Sequence, residues 1–538
     1  MIQSVSRRAR ISGLALLLAG VSSVAMAQTN GAAPSPASDA RDARIEQLEA
    51  EVHALADEVH ELKQTQIQTI ANEPSHALPA ARATIDLGKP AIVSADGRFS
   101  ANFHVIMQLD AAQYDQPSAG PITSDFRRDG PALGATATNV DLAHARQLKD
   151  GDDFRRARIG VDGVTFGDWD YRLVLDFGGT GVENTGQLYE TWIQYSGLKP
   201  FHFRVGAFPP QIGMEDQSSP TALPFLERTA SSDLSRSLAA GETRTAAEVF
   251  GNGEHWLASA ALTGRTIGVI STATGTATPQ TYSDQLGFVG RLATTTTFGS
   301  GWRVHAGVHG SYVFRPADTT GPAANGATPI TGEVIALNGT PELRVDATKL
   351  INTGNIDARH ADSVGAEFGL QRRNLLLQAE YENFGVDRSD HIASPDFYGY
   401  YVEGVWNITG ESRTYNASTG AFDAPPIPHP FSLHGPGWGA FELGVRYSEL
   451  NLNYQPGALG TLQTGSSIRG GDETNFTVGL NWYPNSVVRF MFDYAHVRID
   501  RLNPATSATA ASTIWFAPIG AQIGQSYDVF SMRSQFAF

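Results

Sequence analysis

The chain has 538 residues, with 55 Asp and Glu against 39 Lys and Arg, and no cysteine. The acidic balance disfavours nucleic acid as a partner, and the lack of thiols excludes a disulfide framework, a thiolate zinc site and a cysteine nucleophile. Hydrophobic residues at 41%, with 55 glycines and 9% aromatics, suit many short strands and turns better than helices.

Residues 1–27 read as a signal peptide. Arg7, Arg8 and Arg10 precede an apolar run at 11–24, and Ala25-Met26-Ala27 is a small-x-small cleavage site. The protein is therefore expected to be exported. No later window is long and apolar enough for a spanning helix. Residues 28–70 combine an Ala/Pro/Ser-rich lead with a helix. In that helix Ile45, Leu48, Val52, Leu55, Val59 and Leu62 fall at alternating spacings of 3 and 4, the seam of a short coiled coil. Its expected role is to reinforce an oligomer. Packing on its own domain is the alternative, and β-branched a with Leu d nominally favours dimers. Residues 71–96, with Pro74, Pro79 and Pro90, read as a linker.

From 97 to 538 the pattern is period 2. "FHVIMQLDA" opposes Phe103, Val105, Met107 and Leu109 to His104, Gln108 and Asp110. "FRRARIGVDG" (154–163) opposes Ala157, Ile159 and Val161 to Arg156, Arg158 and Asp162, with Arg155 at the strand's start, at the interface. The same alternation recurs in "DWDYRLVLDF", "FHFRVGAF", "WRVHAGVHGS", "NFTVGLNWY" and "VVRFMFDYA". Sixteen such segments are expected, near 99–111, 153–165, 169–177, 187–196, 201–208, 244–252, 255–264, 282–296, 301–313, 363–372, 375–386, 397–409, 437–449, 473–483, 487–498 and 527–538. Their connections alternate short and long, and aromatics (Trp169, Tyr171, Trp302, Trp482, Tyr483) mark the apolar faces. Together these predict an all-β fold, a 16-stranded antiparallel transmembrane β-barrel preceded by the short coiled-coil helix, rather than a soluble sandwich. The exception is 410–436, a long connection on the short-turn side. The oily faces are assigned to outer-membrane lipid. The arginines are assigned to a wet lumen, because a lipid-facing Arg at mid-bilayer costs about 2–4 kcal/mol.

The stretches "FRRARIGVDGVTFGDWDYRLVLDF", "YSGLKPFHFRVGAFPPQIG", "FLERT", "YGYYVEGVWNITGESRTY", "GAFELGVRYSELNLN", "NWYPNSVVRFMFDYAHVRID" and "SMRSQFAF" resemble the phosphate-selective porin O/P family, in order over most of 99–538. The resemblance implies a trimeric barrel of the Gram-negative outer membrane. It further implies passive uptake of phosphate or polyphosphate through an arginine-lined constriction narrowed by an inward-folded third loop. Here that loop is 209–243, with Arg228 and Arg236 beside Glu215, Asp216, Glu227 and Asp233. On the strands, parity points Arg156, Arg158, Arg172, Arg204, Arg291 and Arg303 inward, with Arg446, Arg489 and Arg533. Such guanidiniums can replace an oxyanion's hydration shell with charge-assisted hydrogen bonds. The competing assignment pairs them with wall acids such as Asp162, Asp176, Glu190, Glu367 and Glu442. Two departures weigh against phosphate in particular. Only five lysines are present (Lys63, Lys89, Lys149, Lys199, Lys349), and the chain is acidic.

No hydrolase, nucleotide-binding or metalloprotease motif occurs. His305 and His309 stand four apart on a strand, too far to chelate one ion, and are read as solvated lumen histidines. His360, Asp362 and Ser363 in "ARHADS" are hydrolase residue types in an expected loop. No cofactor, no metal and no enzyme activity are expected. Beyond lipid and small anions, the barrel-assembly machinery is the expected partner of terminal Phe538. A general or other-solute porin, a structural or adhesive barrel anchored through its coiled coil, and an outer-membrane hydrolase are the alternatives.

Overall fold

The computed structural model describes residues 44, 47, 48, 50–61 and 63, and then 81–86, 88–116, 148–179, 186–239, 242–267, 284–317, 333–346, 348–389, 393–504 and 519–538. The chain divides into two units, Met1–Leu78 and Pro79–Phe538. In the first, residues 50–61 are helical, and Leu48, Val52, Leu55 and Val59 of the heptad seam are exposed.

In the second unit sixteen long antiparallel strands follow one another: β1 (Ser100–Asp115), β2 (Gly151–Thr165), β3 (Trp169–Asp176), β4 (Gln187–Leu198), β5 (Phe201–Phe208), β6 (Arg244–Asn252), β7 (Trp256–Thr266), β8 (Leu286–Phe298), β9 (Trp302–Arg315), β10 (Ile356–Arg372), β11 (Leu375–Arg388), β12 (Asp396–Asn407), β13 (Ala440–Tyr454), β14 (Ile468–Tyr483), β15 (Val488–Asp500) and β16 (Ser526–Ala537). β16 pairs with β1 from Asp528↔Asp115 to Ala537↔Ile106, so the sheet closes and leaves no edge unpaired in lipid. The terminal Phe538 exchanges backbone hydrogen bonds with Val105 across this seam. Within 71–96, Arg82–Asp86 and Lys89–Val93 form a hairpin that extends the sheet alongside the start of β1.

The period-2 pattern sorts the side chains as lipid requires. Outward positions such as Ile159, Leu173, Val205, Leu292, Val364 and Phe476 are exposed and apolar, while the largest fully buried side chains include six arginines. Trp169, Trp256, Trp302 and Trp482 sit at the ends joined by short turns and lie against neighbouring rings, as in Phe441–Trp482 at 6.1 Å and Trp169–Tyr195 at 5.0 Å. Tyr483, expected in this girdle, instead points inward, buried, with its hydroxyl donating to Glu442 at 3.1 Å. Parity explains this, since Tyr483 follows the outward Trp482.

Two further expectations change. His360, Asp362 and Ser363 lie within β10, not in a loop. Successive strand residues face opposite ways, so Ser363 is buried while Asp362 is not, and the three form no constellation. Arg155 is buried, not interfacial. The β1–β2 register shifts between Gln108 and Leu109, with Gln108 opposite Arg156 and Leu109 opposite Phe154. The extra residue of this bulge turns Arg155 inward beside Arg156.

The apolar core lies within the second unit, inside the barrel. The described residues of the third long loop (L3, 209–239 and 242–243) fold into the lumen with a helical turn at Met214–Gln217 and a helix at Ala230–Ala239. Leu226, Leu234 and Leu238 of L3 pack with Leu337, Leu343 and Leu350 of another inward loop and with Phe384, Phe397 and Leu450 of the wall. The exceptional turn after β12 also enters the lumen, through a small hairpin pairing Tyr415–Asn416 with Ala421–Phe422. Its Phe422 is fully buried against Met214 of L3.

Candidate functional site: the arginine wall and L3

The lumen wall and L3 meet through guanidiniums. β2 supplies two of them, because the bulge points consecutive residues inward. Arg155 donates to Glu227 of L3 through Nε at 2.9 Å, and Arg156 reaches the same carboxylate at 3.4 Å and Gln108 at 2.7 Å. β16 supplies the third. Arg533 grips Asp110 with both prongs, at 2.6 and 2.7 Å, and donates to Glu227 at 2.7 Å and to the Leu226 carbonyl. Burial would raise the Glu227 carboxyl, but Arg155, Arg156 and Arg533 outweigh it and hold the group well below the usual carboxylate range.

Other wall arginines hold L3 by its carbonyls. Arg489 donates to Thr221 at 3.1 Å and Leu223 at 2.6 Å, and Arg446 to the Glu227 carbonyl at 3.1 Å and to Glu215 and Glu342 side chains at 3.3 and 2.5 Å. A wall acid completes the set, as Asp493 accepts from the Leu226 amide at 2.8 Å.

Of the arginines singled out in the sequence, Arg446, Arg489 and Arg533 thus hold L3 directly, and the other eight separate into four groups. Arg156 belongs to the Glu227 cluster. Arg158 and Arg236 converge on Glu242, each at about 3.3–3.4 Å, with Arg158 also at 2.7 Å from Asp176 and over the Tyr189 ring. Arg228 turns back into L3, donating to the carbonyls of Glu215, Asp216 and Ser218. Arg172, Arg204, Arg291 and Arg303 lie on the wall away from these. Arg291 is buried against Glu367 at 2.9 Å and clamps the Thr419 and Gly420 carbonyls of the inserted hairpin. Arg303 stacks over Tyr415 of that hairpin. Arg204 donates twice to Gln194 and lies over Trp192, while Arg172 pairs with Glu190 at 2.9 Å yet leaves a third of its side chain exposed.

Arg172 borders a recess of about 960 Å³ at the short-turn end, shared with Lys89, His104, Asp162 and Arg489. Besides Arg155, two arginines without a strand-parity signal, Arg413 and Arg344, also join this set. Arg413 makes a two-pronged contact with Glu442 at 2.7 and 2.8 Å and donates to the Ala222 carbonyl of L3, joining the inserted hairpin to wall and loop. Arg344 pairs with Asp233. The displaced long turn was the one available sign of this hairpin.

A family model described as phosphate-selective porin O and P matches residues 132–538. Porin O of Pseudomonas aeruginosa is 25% identical over 394 residues, covering 71% of this chain and 83% of that protein. An uncharacterized protein of Caulobacter vibrioides is 22% identical over 407 residues, covering 76% and 70%. Among solved structures, a loop-deletion mutant of OmpT, an outer membrane protein of Vibrio cholerae, aligns at a TM-score of 0.45 and 10% identity, covering 82% of this chain and all (100%) of that one. A closed sixteen-stranded barrel, oily outside and arginine-rich inside, thus coincides with a family match over three quarters of the sequence, and the chain belongs to the phosphate-selective porin O and P family, as a porin of the Gram-negative outer membrane.

Proposed function

We propose that this porin passes small anions by diffusion, with phosphate or polyphosphate as the solute implied by its family, and that arginines of the wall and L3 line its constriction. The observation that carries this reading is the concentration of guanidinium on the inward face. Arg172, Arg204 and Arg303 retain partly open side chains, and Arg172 shares the short-turn recess with Lys89, His104 and Arg489. An oxyanion entering there meets cationic donors that can substitute for its water.

The pairing of the buried arginines favours a second reading, a weakly selective pore. Arg156, Arg158, Arg291, Arg446 and Arg533 each have a carboxylate within 3.4 Å, so their fields are largely cancelled. The exposed seam of Leu48, Val52, Leu55 and Val59 supports assembly with further copies, as a trimer by family analogy. Terminal Phe538, built into the closing seam, suits recognition by the barrel-assembly machinery.

Single-channel current in a planar bilayer under a KCl gradient separates the two readings. A reversal potential on the anion side, with chloride current blocked as phosphate is titrated in, supports the first and should weaken in Arg172→Ala. Lack of block, with a reversal potential near zero or on the cation side, refutes it.

A further inference from the structure

A second polar cluster lies on β9, β10 and β11, where cross-strand glycines open a notch in the wall. His309 faces Gly365 and Gly365 faces Glu382, while in the next inward row Gly307 faces Glu367 and Glu367 faces Glu380. Strands two apart are separated by ~9.6 Å, so His309 and Glu382 meet only because nothing projects between them. A Cβ on Gly365 would stand 2.2 Å from His309 Nε2 and 2.5 Å from Glu382 Oε2. With the notch open, His309 Nε2 lies 2.6 Å from Glu382 Oε1, and one donor atom from each of His309, Glu380 and Glu382 falls within 4.8 Å of the others.

His309, read from the sequence as solvated, is buried, as is His305. Parity explains why both face inward. Only the packed lumen removes them from water. Two histidines four apart along one strand cannot share an ion, whereas the ligand set here comes from neighbouring strands.

The cluster is left with unused donor capacity. Among the described residues Glu382 Oε2 is buried without a hydrogen-bond partner, and His309 Nδ1 and Glu367 Oε2, also buried, face each other at 3.7 Å, beyond hydrogen-bond distance. Three carboxylates (Glu367, Glu380 and Glu382) face one guanidinium, Arg291, and histidines that carry charge only if protonated. Buried acceptors and surplus negative charge of this kind favour a bound cation. One imidazole with two carboxylates suits a borderline divalent metal.

We propose that His309, Glu380 and Glu382 bind a divalent transition-metal ion such as Zn²⁺, with Glu367 orienting His309 from beside it. The site is tied to L3. Glu380 accepts from the Met214 and Glu215 amides at 3.0 and 2.5 Å and from the Tyr401 hydroxyl at 2.7 Å, and a Cβ on Gly213 would stand 2.7 Å from Glu380 Oε2. A metal that recruits Glu380 competes with those amides, so its binding alters L3 and thereby the current. This consequence rests on the porin reading, but the binding does not.

The test uses the full-length protein, stripped with chelator, in detergent. Zn²⁺ is titrated calorimetrically, and Co²⁺ serves as an absorption probe. One ion per chain is expected, with affinity reduced about tenfold or more in His309→Ala and in Glu382→Gln. Gly365→Ala should lose binding by filling the notch, and His496→Ala, at an exposed histidine, should leave it unchanged. Heat-modifiable gel mobility verifies that each variant is a folded barrel. Absence of binding by the wild type, or affinity equal in wild type, His309→Ala and Glu382→Gln, overturns the site. If binding is confirmed but Zn²⁺ leaves the wild-type current unchanged, the link to L3 is overturned while the site stands.

Discussion

Removing the Glu227 side chain isolates the chief electrostatic tie between L3 and the wall. In Glu227→Ala, Arg155 loses its carboxylate, whereas Arg156 retains Gln108 and Arg533 retains its two-pronged contact with Asp110. Breaking a buried ion pair from one side costs about 3–5 kcal/mol, and the retained partners place this case near the lower end, about 3 kcal/mol. At about 1.4 kcal/mol per decade, the ratio of undocked to docked loop should rise roughly 100-fold. The lumen also gains a net positive charge. Current recordings in planar bilayers should therefore show new, larger and noisier openings, with the reversal potential under a KCl gradient displaced toward the anion side. Glu227→Gln, which keeps the shape, should give the same displacement with less added noise. Conductance, noise and reversal potential all equal to wild type would refute a docked loop held by this carboxylate.

Three other outcomes follow from the same geometry. Arg413→Ala should loosen the inserted hairpin, since its two-pronged contact with Glu442 and its bond to the Ala222 carbonyl are lost together. A larger unitary conductance is expected, and an unchanged one would mean that the hairpin does not narrow the path. Leu173→Arg places a charge on the exposed outer face and should cost up to about 2–4 kcal/mol in urea titrations of vesicle-inserted protein. A loss indistinguishable from Leu173→Ala would count against a lipid-facing position. Because the Glu227 carboxyl is held below its ordinary value, its contribution to docking is fully present above that value and is lost only as pH falls through the lowered one. Single-channel noise should therefore match at pH 7 and pH 5, and L3 opening that tracks ordinary carboxylate titration would contradict the triple pairing.

Much of the barrel was legible because its determinant is local. A strand in lipid must alternate, and a residue's facing depends only on its parity relative to its neighbours. All sixteen strands were thus readable to within a few residues except where the wall continues past the expected start, as in β10, which begins at Ile356. Parity alone was blind to Arg155, because one extra residue in a bulge reverses facing and leaves no mark in the pattern.

The candidate site was legible only as a set of arginines. Which acids and carbonyls they meet depends on chain segments far apart in sequence: Asp110 and Arg533 are separated by 423 residues, and Arg446 and Glu215 by 231. Nor does a pattern of single strands disclose that Gly365 lets His309 touch Glu382 across an intervening strand. By itself, then, the sequence determined a sixteen-stranded barrel with guanidinium inside and oil outside, since period and polarity are properties of each strand. Only closure of the sheet and insertion of L3 and the hairpin decided which charges are cancelled and which donors converge, since these depend on long-range register and on water expelled from a shared lumen.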